Sequence, residues 1–491
     1  MVQRIKLKKE PNLSAKFEAF SFQAEAVRAI RDLEYCAIFH EQGLGKSKIA
    51  IDLMLYWLEK KLVDTVLFVV KKSLLRNWEK EFGAHTHMRP KILSQSRREN
   101  YYVFNSPSRL VLTHYEVFRS ENERMRLFLK ARSVAGILDE STKIKNPNSA
   151  LTKTVFDLAP LFSRRVIVTG TSIANRPYDL WAQIWFLDQG KSLGSDFKQF
   201  KQEADLSNEL AEDEDERWRF EAFVKDLSSK ISHFAVRKTK ESGTIVLPRK
   251  EIHAVITDWE RRQYDLYRQI QNDMRTVVIK EGLPVEDNSE EVLKRLLRLV
   301  QIASNPHLVD ESYQSEPGKL LYLKDILDRI GEAGEKCIVW STFTDNVDWL
   351  ARELSSYGAR RVHGRLSLAE RNATIEKFIA EKEISILVAT PGAAKEGLTL
   401  TVANHVIFFD RSFSLDDYLQ AQDRIHRISQ CKTCHVYNLI MRESIDEWIE
   451  LLLHAKSLAA QLAQGDISLE YYRAQMSYDF GTIVREILGM R

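Results

Sequence analysis

The chain has 491 residues, enough for about three average domains or two large ones. Its 72 basic and 69 acidic side chains leave a net charge of +3, with 44% of residues apolar and 29% charged. This composition excludes a disordered, collagen-like or disulfide-rich chain, and four cysteines in this length favour a reducing compartment. The near-neutral charge does not decide whether nucleic acid is a partner, because a neutral protein can carry a basic cleft.

The sequence gives no sign of membrane association. The N-terminal stretch MVQRIKLKKEPNL is basic but lacks the apolar core of a signal peptide. No apolar run approaches the roughly 20 residues that span a bilayer. We therefore expect a cytoplasmic protein, or a nuclear one if the source is eukaryotic.

Short apolar runs rich in β-branched residues recur in two series along the chain. The candidate strands are 35–39, 65–70, 109–115, 134–140 and 164–170 in the first series, and 336–342, 384–390, 405–410 and 434–440 in the second. Apolar runs without polar alternation, separated by helical segments, are typical of parallel strands buried on both faces. The pattern predicts an α/β fold with two doubly wound parallel-sheet lobes and helical material between them.

The segments outside these strands are mainly helical in pattern. Helices are predicted within 196–235, over 259–281 and 289–303, and in the tail from about 444; the acidic run 212–216 is expected to be a solvated helix face or loop. The predicted domains are 1–245 as the N-terminal lobe (helical insertion about 190–235), 246–319 as a helical protrusion and linker, 320–455 as the C-terminal lobe and 456–491 as a helical tail.

A phosphate-binding loop is predicted directly after the first strand. Gly43, Gly45, Lys46 and Ser47 fit its G-x-G-K-[ST] pattern, in which backbone N–H groups and a helix N-terminus face phosphate oxygens. Lys46 is expected to reach the β- and γ-phosphates and the Ser47 hydroxyl to bind Mg²⁺. The full pattern has a small residue where this chain has His40.

An acidic pair, Asp139 and Glu140, ends the buried strand VAGILDE. A carboxylate at the end of such a strand can hold Mg²⁺, and its neighbour can activate the attacking water as a general base. We therefore expect Asp139 to be the metal carboxylate and Glu140 the base. A solvated strand end is the alternative for such a pair.

Two arginines in the second series suggest a further part of the phosphate site. Gln420, Arg424 and Arg427 follow one another at offsets of four and three, which on a helix places them on one face. Arginines suit the neutralisation of phosphate charge in a transition state. An exposed helix, ion-paired through nearby aspartates, is the alternative reading.

Together these motifs resemble the Swi/Snf-type branch of the superfamily-two helicase-like ATPases, over nearly the whole chain. HEQGLGKS is similar to the family's DEMGLGKT, LDESTKIKN to its DEAHRLKN, and VTGTSIANRPYDLW to its TGTPxxN…LW. In the second half, IVWSTFTDNVDWL, VHGRLSLAERNATIEKF, VATPGAAKEGLTLTVANHVIFFD and YLQAQDRIHRISQ follow in the family's order. The departures are His40, Ser141, Thr142 and Ser172. The compact plan is similar to bacterial and bacteriophage members.

The resemblance implies two RecA-like lobes and an ATP- and Mg²⁺-dependent motor, in all expectation monomeric, that translocates on double-stranded DNA. ATP would be hydrolysed in the cleft between the lobes, with Lys46, Asp139, Glu140, Arg424 and Arg427 as the catalytic set. Gln23 is expected to read adenine, and Gly397 and Gln420 to lie near the nucleotide. The residues expected to contact DNA are Lys71, Lys72, Thr113 and Tyr115 in the first lobe and Ser341, Thr344, His363, Gly364 and Thr390 in the second.

Two other functions remain open. A strand-separating DNA or RNA helicase needs a wedge element, and the second lobe shows no turn-flanked aromatic hairpin. A non-catalytic DNA-binding scaffold is disfavoured by the intact catalytic set. The C-x-x-C pair at 431–434 stands alone and is not expected to bind zinc. Protein partners and cargo are not indicated by the sequence.

Overall fold

The computed structural model describes residues 6–170, 173, 176–205, 214–240, 247–281, 289–393, 400–427 and 429–476. The chain divides into two compact units. The first unit contains the described parts of 1–246 together with 459–469, and the second contains those of 247–458 and 470–476. Among the described helices, none combines the length and the apolar character that crossing a bilayer requires.

The first unit is built on a seven-stranded sheet in the order β3-β4-β2-β5-β6-β1-β7, with every pairing parallel. Its strands are β1 Tyr35–Ile38, β2 Thr65–Val70, β3 Lys91–Ile92, β4 Leu110–His114, β5 Val134–Asp139, β6 Arg164–Val168 and β7 Ala235–Val236. Its helices are α1 Ser21–Ile30, α2 Lys46–Glu59, α3 Leu75–His85, α4 Arg97–Asn105, α5 Tyr115–Ser120, α6 Asn122–Ala131, α7 Ala150–Leu158, α8 Trp181–Asp188, α9 Phe197–Glu203 and α10 Glu214–Ile231.

The second unit is built on a six-stranded parallel sheet in the order β10-β11-β9-β12-β13-β8. Its strands are β8 Lys250–Thr257, β9 Cys337–Trp340, β10 Ala359–Val362, β11 Ile386–Ala389, β12 His405–Phe408 and β13 Cys434–Met441. The remaining helices of the chain are α11 Arg261–Glu281, α12 Ser289–Ser304, α13 Gly318–Glu332, α14 Thr344–Glu353, α15 Leu368–Ala380, α16 Leu415–Gln422, α17 Ile445–Ala463 and α18 Leu469–Gln475.

The predicted α/β class with two parallel sheets is confirmed, and all nine candidate strands are present. The run TVLFVV forms β2 with all six residues buried, as expected for a strand covered on both faces. Local capping also follows the sequence. The Ser149 hydroxyl accepts from the Thr152 N–H at the start of α7, and Ser367 and Glu370 form a capping box at the start of α15.

Four strands were not predicted, and the longest of them, β8, lies where helical material was expected to begin. Its sequence KEIHAVIT pairs with β13 over eight residues, but it is an edge strand with a half-exposed face. Polar residues such as Glu251 and His253 therefore interrupt the apolar run that identified the central strands. The strands β3 and β7 have only two residues each, and β10 carries two arginines in the middle of ARRV.

Each sheet buries its own core. In the first unit, Trp57 and Met54 of α2 pack with Val66 and Phe68 of β2 on the sheet. The second sheet has a separate cluster on each face, one around Trp340 and Phe378 and the other around Leu323, Val339 and Leu350. Because both faces are covered, functional side chains are left to the strand ends. A further cluster joins α11, α12 and α17.

Candidate nucleotide site

The carboxyl ends of the first sheet carry the predicted phosphate-binding loop and the predicted acidic pair. Ile38 at the end of β1 is in register with Val168 of β6, and Val168 is in register with Asp139 of β5. The loop after β1 and the acidic pair at the end of β5 therefore lie at one level of the sheet. Ligands of open α/β sheets bind outside this edge.

The loop from β1 to α2 has the backbone of a phosphate cradle. Gly43 and Gly45 have φ of +85° and +67°, a left-handed conformation that glycine adopts without the usual strain. Gly45 is the N-cap of α2, whose first residues are Lys46 and Ser47. The N-terminal end of this helix, where its dipole is positive, faces the loop. The Lys46 ammonium donates to the Glu41 carbonyl at 3.3 Å.

Gln23 braces this loop from α1. Its Nε2 donates to the carbonyls of Leu44 and Gly45, both at 3.4 Å, and its Oε1 accepts from the Phe20 N–H at 3.0 Å. A Cβ on Gly45 would lie 2.3 Å from Gln23 Nε2, so a side chain at 45 would displace the amide. Both ends of the Gln23 amide thus hold protein groups, and its reading of adenine stays a prediction.

Gly170, two residues past β6, makes room for the loop lysine. A Cβ at this position would lie 2.9 Å from Lys46 Nζ and 2.5 Å from Gln42 Cγ. The lysine ammonium therefore packs directly against the backbone that follows β6. This close approach requires glycine, because the space of a methyl group is already taken.

The acidic pair lies beside this lysine. Asp139 Oδ2 accepts from the Trp78 indole N–H at 2.8 Å, and its Oδ1 accepts from the Glu140 N–H at 2.9 Å. Burial and the neighbouring Glu140 carboxylate raise the pKa of Asp139 to about 6, while the Trp78 hydrogen bond and the Lys46 charge act in the opposite direction. A carboxyl group held in this balance gains from a cation, because a cation favours its charged form.

Glu140 has an unusual backbone and a polar atom without a hydrogen bond. Its φ of 50° and ψ of 54° are left-handed, a conformation that costs a non-glycine residue about 1 kcal/mol or more. Among the described residues, its buried Oε2 has no hydrogen-bond partner, although Lys71 Nζ lies 3.8 Å away. Strain and an unsatisfied carboxylate oxygen are typical of functional positions.

These features fit a nucleoside triphosphate with Mg²⁺. The loop presents N–H groups and an ammonium for phosphate oxygens, and Asp139 and Ser47 offer the hard oxygen ligands that Mg²⁺ prefers. In the part of the chain that the structure describes, Gln42 Nε2 is likewise buried without a hydrogen-bond partner. Gln42 is on the loop itself and was not selected from the sequence, because the motif leaves its position unspecified.

His40, the departure from the loop pattern, is a buried neutral ring. It is 1% exposed, stacks on Phe22 at a centroid distance of 6.1 Å and has Nδ1 3.4 Å from the Val236 carbonyl. Burial, with help from the Lys46 charge, lowers its pKa to about 4. The ring thus fills the space between α1 and β7 without adding charge to the loop.

The residues predicted to contact nucleic acid in the first unit have very different settings. Lys72 is exposed and Lys71 is half-buried, both directly after β2. Thr113 lies fully buried in β4. Tyr115 is a correction: its ring is 0% exposed and its hydroxyl donates to the Asp139 carbonyl at 2.8 Å. Its role is to support the acidic pair from below and not to present a surface hydroxyl.

In the second unit, three of the predicted contacts form one row. Val362, Ala389 and Trp340 are paired across β10, β11 and β9, and the next residue of each strand is His363, Thr390 and Ser341. We call these three residues the carboxyl-edge row. Gly364 follows it and is exposed, and Thr344 begins α14 nearby. The sequence could not show this alignment, because it depends on the order of the strands.

Two members of the carboxyl-edge row are tied to acidic partners. Ser341 is 0% exposed and donates to Asp410 Oδ2 at 2.5 Å, so its hydroxyl is a structural group and the prediction of direct contact is corrected. His363 is 3% exposed, with Nε2 2.9 Å from Asp348 Oδ1. The same Asp410 carboxylate accepts from Ser304 and from the Thr342 N–H. It therefore fixes the end of β9.

The expected helical face of arginines is wrong in its geometry. The helix α16 ends at Gln422, so Gln420 is helical whereas Arg424 and Arg427 lie in the turns that follow. Hydrogen bonds to the backbone carbonyls after the helix explain this end. The Arg424 carbonyl accepts from the Leu400 N–H at 3.0 Å, and the Ile425 carbonyl accepts from the Gln430 side chain at 3.0 Å. Because these carbonyls already accept hydrogen bonds, they do not accept the N–H groups of a further helical turn.

The three side chains of that segment are in different environments. Gln420 is 2% exposed and donates to Asp416 Oδ1 at 2.7 Å, and Arg424 is 4% exposed. Arg427 is half-buried, and its Nε donates to the Asp423 carbonyl at 2.8 Å. Their roles toward phosphate stay predictions. Gly397, and Thr171, Ser172 and Asn175 of the resemblance, lie outside the described residues.

Two known protein domains match the sequence of this chain. The SNF2-related domain matches residues 23–308, and the helicase conserved C-terminal domain matches residues 318–429. The fold and these matches define the class, a helicase-like ATPase with two RecA-like lobes. The first match alone covers more than half of the chain. The chain belongs to the SNF2-related family.

Two curated relatives agree with this assignment. An ATP-dependent helicase of Mycoplasma genitalium is 30% identical over 86% of this chain and 39% of its own length. A putative ATP-dependent helicase/translocase of Bacillus subtilis, YwqA, is 28% identical over 87% of this chain and 46% of its own. The chain therefore spans less than half the length of these curated relatives. The SWI2/SNF2 ATPase core of Sulfolobus solfataricus, solved with dsDNA, aligns over 98% of this chain and 99% of its own with 24% identity and a TM-score of 0.43.

Proposed function

We propose that this chain uses Mg-ATP hydrolysis to translocate on double-stranded DNA, and so remodels or reanneals DNA or displaces bound protein. The observation that carries the proposal is the meeting of Lys46 and the acidic pair at one sheet edge. There the Lys46 charge acts on Asp139, whose pKa is raised to about 6. Bound Mg²⁺ would supply charge neutralisation of the phosphates and a ligand for Asp139.

Each of the predicted catalytic residues then has a role in ATP hydrolysis. The loop N–H groups and Lys46 bind and orient the triphosphate, and the close packing of Lys46 Nζ against Gly170 supports this role by positioning the ammonium beside the loop. Glu140, with Oε2 lacking a hydrogen bond in the described structure, accepts the proton of the attacking water. Arg424 and Arg427 of the second unit are proposed to stabilise the charge on the phosphates, which makes hydrolysis depend on both units.

The proposal for DNA rests on the family and on the strand ends. A relative is named helicase/translocase, and in the second unit Gly364 is exposed and Thr344 is half-buried next to the carboxyl ends of the parallel strands. Loop tips of this kind suit phosphates, which dominate contacts that position a protein on a duplex. Duplex is favoured over single strands because the second-lobe sequence shows no aromatic hairpin to act as a wedge.

The test is the ATPase rate at fixed salt without nucleic acid and with single-stranded DNA, duplex DNA or RNA. We expect duplex DNA to stimulate most. In Glu140→Gln, hydrolysis should fall by roughly 10²–10⁴-fold while ATP and DNA binding persist, as for a lost general base. In Arg427→Ala, the rate should fall more than nucleotide affinity; an unchanged rate would remove Arg427 from this role.

A strand-separating helicase is the second candidate, because relatives are named ATP-dependent helicases. It predicts preferential stimulation by single strands or RNA and the unwinding of a tailed duplex. Displacement of a triplex-forming strand without unwinding would instead support translocation on the duplex. Loss of all stimulation would contradict both candidates.

A further inference from the structure

Three side chains with metal-binding atoms converge at the outer edge of the second sheet. Glu251 and His253 belong to the edge strand β8, and His435 belongs to its neighbour β13. The register pairs His435 with Glu251 and Tyr437 with His253. Residues two apart on a strand share a face, so all three side chains project from the same side of the sheet.

The distances between the donor atoms match those of a metal site. His253 Nε2 lies 3.2 Å from His435 Nδ1, Glu251 Oε2 lies 3.5 Å from His435 Nδ1, and Glu251 Oε2 lies 3.9 Å from His253 Nε2. Bonds of about 2.0–2.2 Å to a tetrahedral Zn²⁺ place neighbouring ligand atoms about 3.3–3.6 Å apart. The three atoms thus outline one face of a slightly open tetrahedron.

Surrounding contacts hold these donors in place. The His253 ring stacks on Tyr437 at a centroid distance of 4.7 Å, and the His435 ring stacks on His405 at 4.9 Å. Glu251 Oε1 lies 3.3 Å from Arg249 Nε, which directs the other carboxylate oxygen toward the imidazoles. Such outer contacts orient ligands in metal sites.

The cluster is open to ions from solution. The side chains of Glu251, His253 and His435 are 31%, 38% and 25% exposed, so an ion reaches them without unfolding of the sheet. Ion binding would need small ring rotations that turn both imidazole lone pairs toward one point, and this exposure leaves room for them. Water would complete the coordination.

We propose that Glu251, His253 and His435 form a binding site for one divalent transition-metal ion, for which Zn²⁺ is the chemical match. Two imidazoles and one carboxylate suit Zn²⁺ better than Mg²⁺ or Ca²⁺, which prefer oxygen ligands alone. The ion joins β8 to β13 just after the chain enters the second unit at 247. Its effect is to fasten an edge strand, and it takes no part in the nucleotide site.

The proposal is tested with the untagged full chain, stripped with a chelator and titrated with Zn²⁺ and with Co²⁺. Because Cys431 is exposed, the titrations use a Cys431→Ser background. We expect one ion per chain, a Co²⁺ spectrum of tetrahedral or five-coordinate type without thiolate bands, and a rise in the unfolding temperature. His253→Gln and His435→Gln should each weaken binding by at least about 10-fold.

The matched control is His87→Gln, at an exposed histidine of the first unit outside the cluster, which should bind as the parent does. Circular dichroism verifies that each variant is folded. A hydrogen bond between the two imidazoles would also hold them 3.2 Å apart. In that case no ion binds, or the two variants bind as tightly as the control, and either result overturns the proposal. No nucleotide or DNA enters the experiment, so its outcome is independent of the proposed motor function.

Discussion

The Trp78 indole donates a hydrogen bond to Asp139 Oδ2 at 2.8 Å, although 61 positions separate the two residues. Trp78 is 1% exposed in α3 and packs on Phe68 at 4.8 Å and Phe82 at 5.4 Å. The aromatic cluster fixes the direction of the carboxylate. The hydrogen bond from Trp78 also opposes the rise in the Asp139 pKa that burial and Glu140 cause.

Trp78→Phe should therefore shift the acid limb of the ATPase pH profile upward. Without the indole donor, the pKa of Asp139 rises above its value of about 6, and less of the carboxylate is ionised near neutrality. The measurement is kcat/KM for ATP across about pH 5 to 8 at one fixed, subsaturating Mg²⁺ concentration, because bound Mg²⁺ favours the charged form of Asp139 and would mask the shift. The control is Trp57→Phe, which removes a comparable indole hydrogen bond, to the Arg31 carbonyl, away from the acidic pair. Equal profiles for the two variants would contradict this coupling.

Gly45→Ala should destabilise the first unit and weaken ATP binding together. The added methyl group meets Gln23 Nε2 at 2.3 Å, and the φ of +67° costs an L-residue roughly 1–2 kcal/mol. Gly83→Ala in α3 should instead increase the stability of the first unit, because the new Cβ has no atom within 4 Å. This control should raise stability by about 0.5–1 kcal/mol. Urea unfolding measures the stability of each variant, and nucleotide titration measures its affinity for ATP. Equal changes in stability for the two variants would be inconsistent with the structure.

Lys72→Ala should reduce DNA affinity with a smaller salt dependence. The side chain is exposed next to β2, and the loss of one phosphate contact lowers the slope of log affinity against log salt by about 1. Tyr115→Phe is the control, because its hydroxyl is bonded to the Asp139 carbonyl inside the unit. It should lower stability by about 1 kcal/mol and leave the salt slope unchanged. A reversed pattern would restore Tyr115 as a DNA contact.

Much of this architecture is readable from the sequence, because central parallel strands and the glycine loop have strong local signals. The strand β8 and the end of α16 are not readable in the same way. The first is defined by its pairing with β13, and the second by hydrogen bonds from Leu400 and Gln430.

The candidate site also has a part that the sequence predicts and a part that it does not. Lys46 and Asp139 can be recognised from the sequence because their residue types and motifs indicate their chemistry. The buried state of Tyr115 and Ser341 depends instead on partners that are distant in the chain, and a hydroxyl at a strand end has the same sequence pattern whether it faces solvent or the core.

Lys319→Met should strongly destabilise the second unit. The Lys319 ammonium is fully buried, lies 2.5 Å from Asp446 Oδ2 and donates to the Phe409 carbonyl at 2.9 Å. Removing it leaves a buried carboxylate without its counter-charge, which costs about 3–5 kcal/mol. Arg442→Met removes one partner of the largely exposed pair with Asp258 and should have a far smaller effect. Chemical unfolding compares the two; similar losses would mean that burial of the Lys319 pair is not the cause.

His40 should make the first unit less stable as the pH falls from about 6.5 to about 4. Its pKa is about 4 in the folded chain, against an ordinary value of 6.5, because burial disfavours the charged ring. In this interval the unfolded chain binds a proton that the folded chain does not, so stability falls with pH, by up to about 3 kcal/mol. Above pH 6.5 both states are neutral at this ring and the effect vanishes.

His40→Phe keeps a ring that can stack on Phe22 but cannot titrate. Its unfolding free energy, or amide exchange in β1 and α2, should vary less over the same pH interval. A slope equal to that of the parent chain would show that another group causes the acid sensitivity.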